Sequence, residues 1–141
     1  MDLIWVHGVA TWYMVGVIWF VQVVHYPLMK QVGVEGYGAY QVAHMRRTSW
    51  VVGPGMVVEA VTGVWLLYVE ASVVLWVGLG LLVLIWISTV LLQVPRHNLL
   101  LERFDVVHHR ILVQTNWIRT VAWTVRGILI FWMLNGVEGA R

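Results

Sequence analysis

Residues 73–94 read VVLWVGLGLLVLIWISTVLLQV, an apolar run without a single charged side chain. At about 1.5 Å per residue, a helix of this length spans the roughly 30 Å hydrocarbon core of a bilayer. Apolar and polar residues do not alternate here, as they would in a strand of a membrane barrel. Because a membrane-spanning segment must satisfy its own backbone hydrogen bonds, the run predicts a transmembrane helix.

Three further apolar runs have a similar length, so the sequence predicts four membrane helices. The chain has 141 residues, of which 60% are hydrophobic and 11% charged, and its mean hydropathy is +0.78. This composition excludes an ordinary soluble domain and a disordered chain. We predict an all-α, integral membrane four-helix bundle that forms one domain over residues 1–141. Its helices are expected at about 3–28, 50–69, 73–94 and 111–134, the first ending near Pro27 and the third near Pro95.

The loops predicted at 29–49 and 95–110 are long and polar, and each is expected to carry a short interfacial helix. They hold six of the nine basic residues. The positive-inside rule therefore places both loops in the cytoplasm and both termini on the opposite side. We expect a multi-pass protein of the cell membrane, the inner membrane if the source is bacterial. The six basic residues are Lys30, Arg46, Arg47, Arg96, Arg103 and Arg110.

A weak internal repeat relates the two halves of the chain. His25 stands two residues before Pro27, and Gln93 stands two residues before Pro95. A polar loop and then a tryptophan that opens the next helix follow in both halves. This pattern predicts two similar helical hairpins around an axis along the membrane normal.

The sequence excludes several kinds of site and partner. The absence of cysteine excludes disulfides, thiolate metal sites and cysteine nucleophiles. No basic run exceeds the pair Arg46-Arg47, so a nucleic-acid partner is not expected. The expected partners are the lipid bilayer and a hydrophobic small molecule, and association into a homo-oligomer or a larger membrane complex is left open.

Polar side chains inside the apolar runs recur on one face of each helix. Such residues are costly in lipid and face the bundle interior. We therefore predict a bundle with a polar interior. The inward stripes are His7, Thr11, Ile18, Gln22 and His25 on the first helix, Trp86, Thr89, Gln93 and His97 on the third, and His108, Asn116, Arg119, Trp123 and Arg126 on the fourth.

Glu59 and Arg126 are the two charges expected nearest the membrane midplane. Glu59 lies nine residues after Trp50, and Arg126 lies nine residues after Trp117 on a helix that runs antiparallel. We predict that they pair. Two interpretations remain open: a structural ion pair that neutralises two buried charges, or a catalytic Glu59 that accepts a proton or binds a metal.

Six histidines are available as proton carriers or metal ligands. We predict His25 and His97 as cofactor-binding residues, and His25, His97 and His108 as metal ligands. Haem, copper and non-haem iron are all chemically compatible with such ligands. By contrast, His44 is expected to face lipid headgroups, His109 to be solvated, and His7 to lie at the interface near Trp5.

The segments VPRHNLL (residues 94–100) and LVQTNWIRTVAW (residues 112–123) resemble the anthrone oxygenase-like family of small four-helix membrane proteins, long catalogued as a domain of unknown function. The matching features are Pro95 with Asn98, and Asn116 with Arg119 and Thr120; Pro27 in HYPLM fits as well. Some members of that family act on polycyclic aromatic anthrones with molecular oxygen. The resemblance implies a bundle with a polar site on its cytoplasmic side and an oxidoreductase activity. A looser likeness is to the four-helix membrane haem enzymes that oxidise protoporphyrinogen.

The predicted function is that of a small membrane oxidoreductase with a polar, histidine-containing site. Its substrate would be a hydrophobic aromatic or isoprenoid-type molecule that enters from the bilayer. The alternatives are an accessory subunit of a larger respiratory or photosynthetic complex, and a haem- or copper-handling protein. Asn116 or Arg119 would hold a carbonyl or a developing oxyanion while a histidine moves the proton. The predicted catalytic residues are Glu59, His108, Asn116 and Arg119.

Overall fold

The computed structural model describes residues 3–139, with side chains described through residue 136. Within this range the chain forms four long helices and no strand. All four helices are long and apolar enough to cross a membrane, which confirms the predicted all-helical class. We number them in chain order as α1 (Leu3–Met29), α2 (Val34–Val69), α3 (Val73–Glu102) and α4 (Val106–Gly139).

The predicted loops 29–49 and 95–110 are wrong in extent, because most of their residues are helical. α2 has 36 residues and is therefore about 54 Å long, well beyond the thickness of the hydrocarbon core. Past its glycine-rich start, nothing in residues 39–49 breaks a helix, so α2 continues out of the membrane. Only residues 30–33 and 103–105 remain as turns at this end of the bundle.

The predicted end of the third helix near Pro95 is also wrong, because that helix continues to Glu102. The first helix ends at Met29, close to Pro27 as predicted. A π-helical turn precedes each proline, over Val21–His25 in α1 and over Thr89–Gln93 in α3. A π-helical turn inserts one extra residue, which accommodates the hydrogen bond that a proline cannot donate. The insertion also rotates the residues that follow it. As a result, Tyr26 is buried and His25 only half-buried.

Each of the four helices packs against two neighbours. α1 packs between α2 and α4, and α4 packs against α3. The approach of α1 to α2 depends on small residues: a Cβ on Gly55 would lie 2.6 Å from the Met14 sulfur, and one on Gly63 would lie 3.2 Å from His7 Cε1. α2 contacts residues 73–88 and 94–102 of α3, and few if any of its contacts are with the π-helical turn between them.

Two apolar cores lie one above the other along the bundle, and the candidate site lies between them. The first is centred on Trp123 and the second on Tyr37. The first core comprises Met14, Val15, Ile18, Met56, Ile85, Ala122 and Trp123, and the second comprises Val21, Tyr26, Met29, Tyr37, Leu100 and Leu112.

Candidate active site

A cavity of about 260 Å³ lies inside the bundle, at the level where α2 and α3 separate. All four helices contribute to its wall. Ser49 and Val94 line it and are themselves exposed on the surface, so the cavity opens sideways between α2 and α3. Most of the wall is apolar. The polar side chains in it are Tyr26, His44, Thr48, Ser49, Thr89, Gln93, His97 and Arg119.

Arg119 brings a positive charge to this cavity. Its side chain is buried, and within residues 3–136 no carboxylate pairs with it. Arg119 Nε donates to Asn116 Oδ1 at 2.9 Å, and Nη2 also donates to Asn116 Oδ1. Nη1 donates to Thr89 Oγ1 at 3.3 Å and Nη2 to Tyr26 Oη at 3.4 Å. A guanidinium has five N–H groups, so one N–H on Nη1 stays available to a guest.

Asn116 lies behind Arg119 and does not line the cavity. Its Nδ2 donates to Gln22 Oε1 at 2.7 Å, and its Oδ1 accepts from Arg119. Gln22 in turn donates to the backbone oxygen of Val113 at 3.3 Å. Of the two residues predicted to hold a substrate oxygen, only Arg119 reaches the cavity, and Asn116 fixes the position of its guanidinium.

His97 and Tyr26 form a second polar group in the wall. Gln41 Nε2 donates to the backbone oxygen of His97 at 3.2 Å and lies 2.9 Å from His97 Nδ1. Because an amide nitrogen faces Nδ1, this imidazole carries its proton on Nε2, which lies 3.1 Å from Tyr26 Oη. Tyr26 Oη thus accepts from His97 and from Arg119, which leaves its own proton free to be donated into the cavity.

His44 links the cavity to the end of the bundle. Its Nδ1 lies 2.8 Å from His25 Nε2 and 3.1 Å from Thr48 Oγ1. His25 Nε2 is also 3.2 Å from Tyr40 Oη, and both His25 and Tyr40 are half-buried. Among the described residues, none hydrogen-bonds His44 Nε2. That nitrogen is therefore free to accept a proton on the cavity side.

Glu59 and Arg126 form an ion pair deep in the bundle, as their similar depth led us to expect. Arg126 Nη2 lies 3.1 Å from Glu59 Oε1, and Arg126 also donates to the backbone oxygen of Gly78. Glu59 Oε2 accepts a hydrogen bond from Trp123 Nε1 at 2.9 Å. Both carboxylate oxygens are thus engaged and neither lines the cavity. Glu59 is connected to the cavity wall through its hydrogen bond from Trp123.

The three predicted metal ligands do not come together. His108 Nδ1 lies 3.0 Å from Arg96 Nη1, and its backbone N–H donates to Asp105 Oδ1. Among the side chains described through residue 136, no group of three His, Asp or Glu could hold a metal ion. His25 and His97 instead flank His44, whose ring centre lies 4.4 Å from that of His25 and 5.1 Å from that of His97.

Three further histidines are buried in the bundle. For His44 and His109 this corrects the expected headgroup-facing and solvated positions, and for His7 it agrees with the inward stripe predicted on the first helix. His7 Nδ1 lies 2.7 Å from Thr62 Oγ1, and His44 lines the cavity. His109 Nε2 lies 2.8 Å from the backbone oxygen of Tyr26, so it satisfies a carbonyl near the end of α1. The spacing of Tyr37, Gln41 and His44 puts them on one helical face, a signal that was available in the sequence.

The site combines a buried cation, a phenol that can donate a proton and a histidine that can accept one. No protein-family model, no curated protein and no solved structure matches this chain. The likeness to the anthrone oxygenase-like family therefore stays a prediction. The geometry suits a molecule with an apolar ring system and an oxygen atom that carries, or can acquire, negative charge.

Proposed function

We propose that this protein is a membrane oxidoreductase whose cavity binds a hydrophobic aromatic molecule bearing a carbonyl or an ionisable hydroxyl. The observation that carries the proposal is Arg119, a buried cation without a carboxylate partner among the described residues, in an otherwise apolar wall. An unpaired buried charge is costly. A substrate oxygen that approaches Arg119 and Tyr26 offsets that cost.

His44 is the proposed base of the reaction. It takes a proton from the substrate on Nε2 and passes its Nδ1 proton to His25, 2.8 Å away. Arg119 and the Tyr26 hydroxyl stabilise the oxyanion that develops. This assignment replaces His108 and Asn116 as catalytic residues, because neither lines the cavity.

The proposed oxidant is molecular oxygen, in keeping with the family resemblance. An anthrone that loses a ring CH proton becomes an aromatic oxyanion rich in electrons. Transfer of its electrons to oxygen converts the CH₂ group to a carbonyl, so anthrone and O₂ give anthraquinone and water. The lateral opening beside Ser49 supports entry of an apolar substrate from the bilayer.

We also propose that both termini lie on the non-cytoplasmic side of a cell membrane. Exposed Arg46 and Arg47 and the Lys30 turn cluster at one end of the bundle, which the positive-inside rule assigns to the cytoplasm. The site lies nearer that end. Two similar hairpins are part of the same proposal, supported by a π-helical turn before Pro27 and another before Pro95.

Binding of anthrone and anthracene to the protein in nanodiscs tests the proposal, because the two share a ring skeleton and differ at the oxygen. Calorimetric titration is corrected with empty nanodiscs for partition into lipid. A hydrogen bond to a charged group contributes about 1.5–3 kcal/mol, so wild type should prefer anthrone by about 10- to 100-fold.

Two variants serve as the comparison. Arg119→Gln should retain anthracene binding and lose the preference for anthrone. Arg47→Gln removes an exposed arginine from the same bundle end and should keep the preference. Equal affinities of wild type for the two ligands would contradict the proposal; combined with co-purification of a larger complex, they would favour the accessory-subunit alternative.

A further inference from the structure

A second concave site lies on the outside of the bundle, between the end of α1 and the start of α4. This α1–α4 groove has a volume of about 480 Å³. Pro27 and Lys30 line it from α1 and the turn that follows. Val106, His109, Arg110, Val113 and Gln114 line it from α4.

The surface of the groove is apolar, and Lys30 and Arg110 line it through the apolar parts of their side chains. Lys30 and Arg110 are both exposed, and neither forms an ion pair with a carboxylate among the described residues. No carboxylate lines the groove. His109 contributes its ring only, because its Nε2 is engaged by the backbone oxygen of Tyr26.

The groove lies at the end of the bundle where α1 ends and α4 begins. Lys30 directly follows the last residue of α1, and Arg110 lies in the second turn of α4. Leu28, Val106 and Val107 are exposed apolar residues, and each lies within four positions of one of the two cations in the sequence. Charge at the rim and apolar surface below it fit a phosphate group attached to an acyl chain, and a free phosphate would leave the apolar part uncovered.

We infer that the α1–α4 groove binds one anionic phospholipid, with its phosphate between Lys30 and Arg110 and an acyl chain against Val106 and Val113. A zwitterionic lipid brings its own cation to the headgroup and gains less from two further positive charges. Basic residues at the membrane surface each favour anionic lipid. This site is independent of the cavity between α2 and α3.

The test is native mass spectrometry of the detergent-purified protein titrated with phosphatidylglycerol or with phosphatidylcholine. Wild type should retain one phosphatidylglycerol at concentrations where phosphatidylcholine is lost. At about one kcal/mol for each surface cation, the double variant Lys30→Gln/Arg110→Gln should bind phosphatidylglycerol about 30-fold more weakly.

The control is Arg46→Gln/Arg47→Gln, which removes two exposed arginines of the same bundle end that do not line the groove. It should bind phosphatidylglycerol as wild type does. An equal loss in both double variants would show a diffuse surface attraction and overturn the inference, as would equal binding of the two lipids. A protein dimer lost only in Lys30→Gln/Arg110→Gln would assign the groove to a second copy and would overturn it as well.

Discussion

At the scale of residues, the polar face of α4 could be predicted from the sequence. The roles of Tyr26 and His44, which donate and accept protons in the cavity, could not. Asn116, Arg119, Trp123 and Arg126 are all buried on one face, because α4 contains no irregular turn and a regular helix keeps its phase of 100° per residue. In α1 the π-helical turn at Val21–His25 adds one residue and so changes which side chains face the interior. As a result Tyr26 is buried in place of His25. His44 was missed for another reason: its segment continues α2 rather than forming a separate interfacial helix.

Glu59→Gln should lower the free energy of unfolding by about 3–5 kcal/mol, because it leaves Arg126 buried without its counter-charge. The measurement is equilibrium unfolding in mixed detergent micelles. The double variant Glu59→Gln/Arg126→Met should recover most of the loss, since it removes both charges. If it also binds anthrone as wild type does, the structural interpretation of the pair is supported. Wild-type stability of Glu59→Gln alone would contradict the pairing.

His44→Ala should slow the oxygen uptake that anthrone elicits by about 100-fold or more, the usual contribution of a general base. His25→Gln should slow it less, because His44 can still take the first proton. His108→Ala is the matched control, since this histidine lies outside the cavity wall. The role of His44 fails if His44→Ala and His108→Ala turn over anthrone at equal rates.

At the scale of elements, apolar length predicted the number of helices, both ends of α1, the end of α2 and the start of α3, but not how far α2, α3 and α4 continue into the polar segments. A helix that leaves the membrane stops only at a residue that breaks it, and α2 has none between residue 39 and the membrane. Pro95 proved to be a poor end signal, because α3 continues past it to Glu102, whereas α1 ends soon after Pro27. A π-helical turn precedes each of the two prolines. These turns also contribute to the site: the one in α3 lies where that helix separates from α2 to open the cavity.

The start of α4 depends on Asp105. Its Oδ1 accepts the backbone N–H of His108 at 2.9 Å, and this hydrogen bond holds the pKa of the carboxyl below its ordinary value of 3.8. A carboxyl whose pKa is lowered by folding stabilises the folded state above that ordinary value. The contribution disappears as the pH falls through the folded-state pKa.

Asp105→Ala should therefore speed amide hydrogen exchange in the first turn of α4, residues 106–109, relative to wild type at pH 5 to 7. The difference between wild type and variant should shrink as the pH falls below about 4. Exchange in the first turn of α3, capped by Ser72, is the internal reference. A difference that grows on acidification would contradict this account of the cap.

At the scale of the whole molecule, the low content of charged residues predicted an integral membrane protein. It also drew attention to the few charged residues inside the apolar runs. Among the side chains described for residues 3–136, the buried ones with a full charge are Glu59, Arg119 and Arg126, and all three were identified from their position in apolar runs. The cavity could not be predicted. It arises because α2 meets α3 above and below Thr89–Gln93 but not at that turn, a matter of how helices pack rather than of any residue pattern.

The orientation in the membrane can be measured directly, because the chain has no cysteine to remove. Glu70→Cys, in the short turn between α2 and α3, should react with a membrane-impermeant maleimide in intact cells. Gln31→Cys, exposed in the turn after α1, should react only after lysis. The reverse pattern of labelling would contradict the proposed orientation.

The central claim is that Arg119 stabilises a negative oxygen in a membrane-accessible cavity. The absorbance of a bound naphthol tests it most directly, because the neutral molecule and its anion absorb at different wavelengths. At one fixed pH, the ratio of anion to neutral ligand should be about tenfold higher in wild type than in Arg119→Gln, the ratio that corresponds to about 1.4 kcal/mol. The same ratio in the two proteins would contradict the claim.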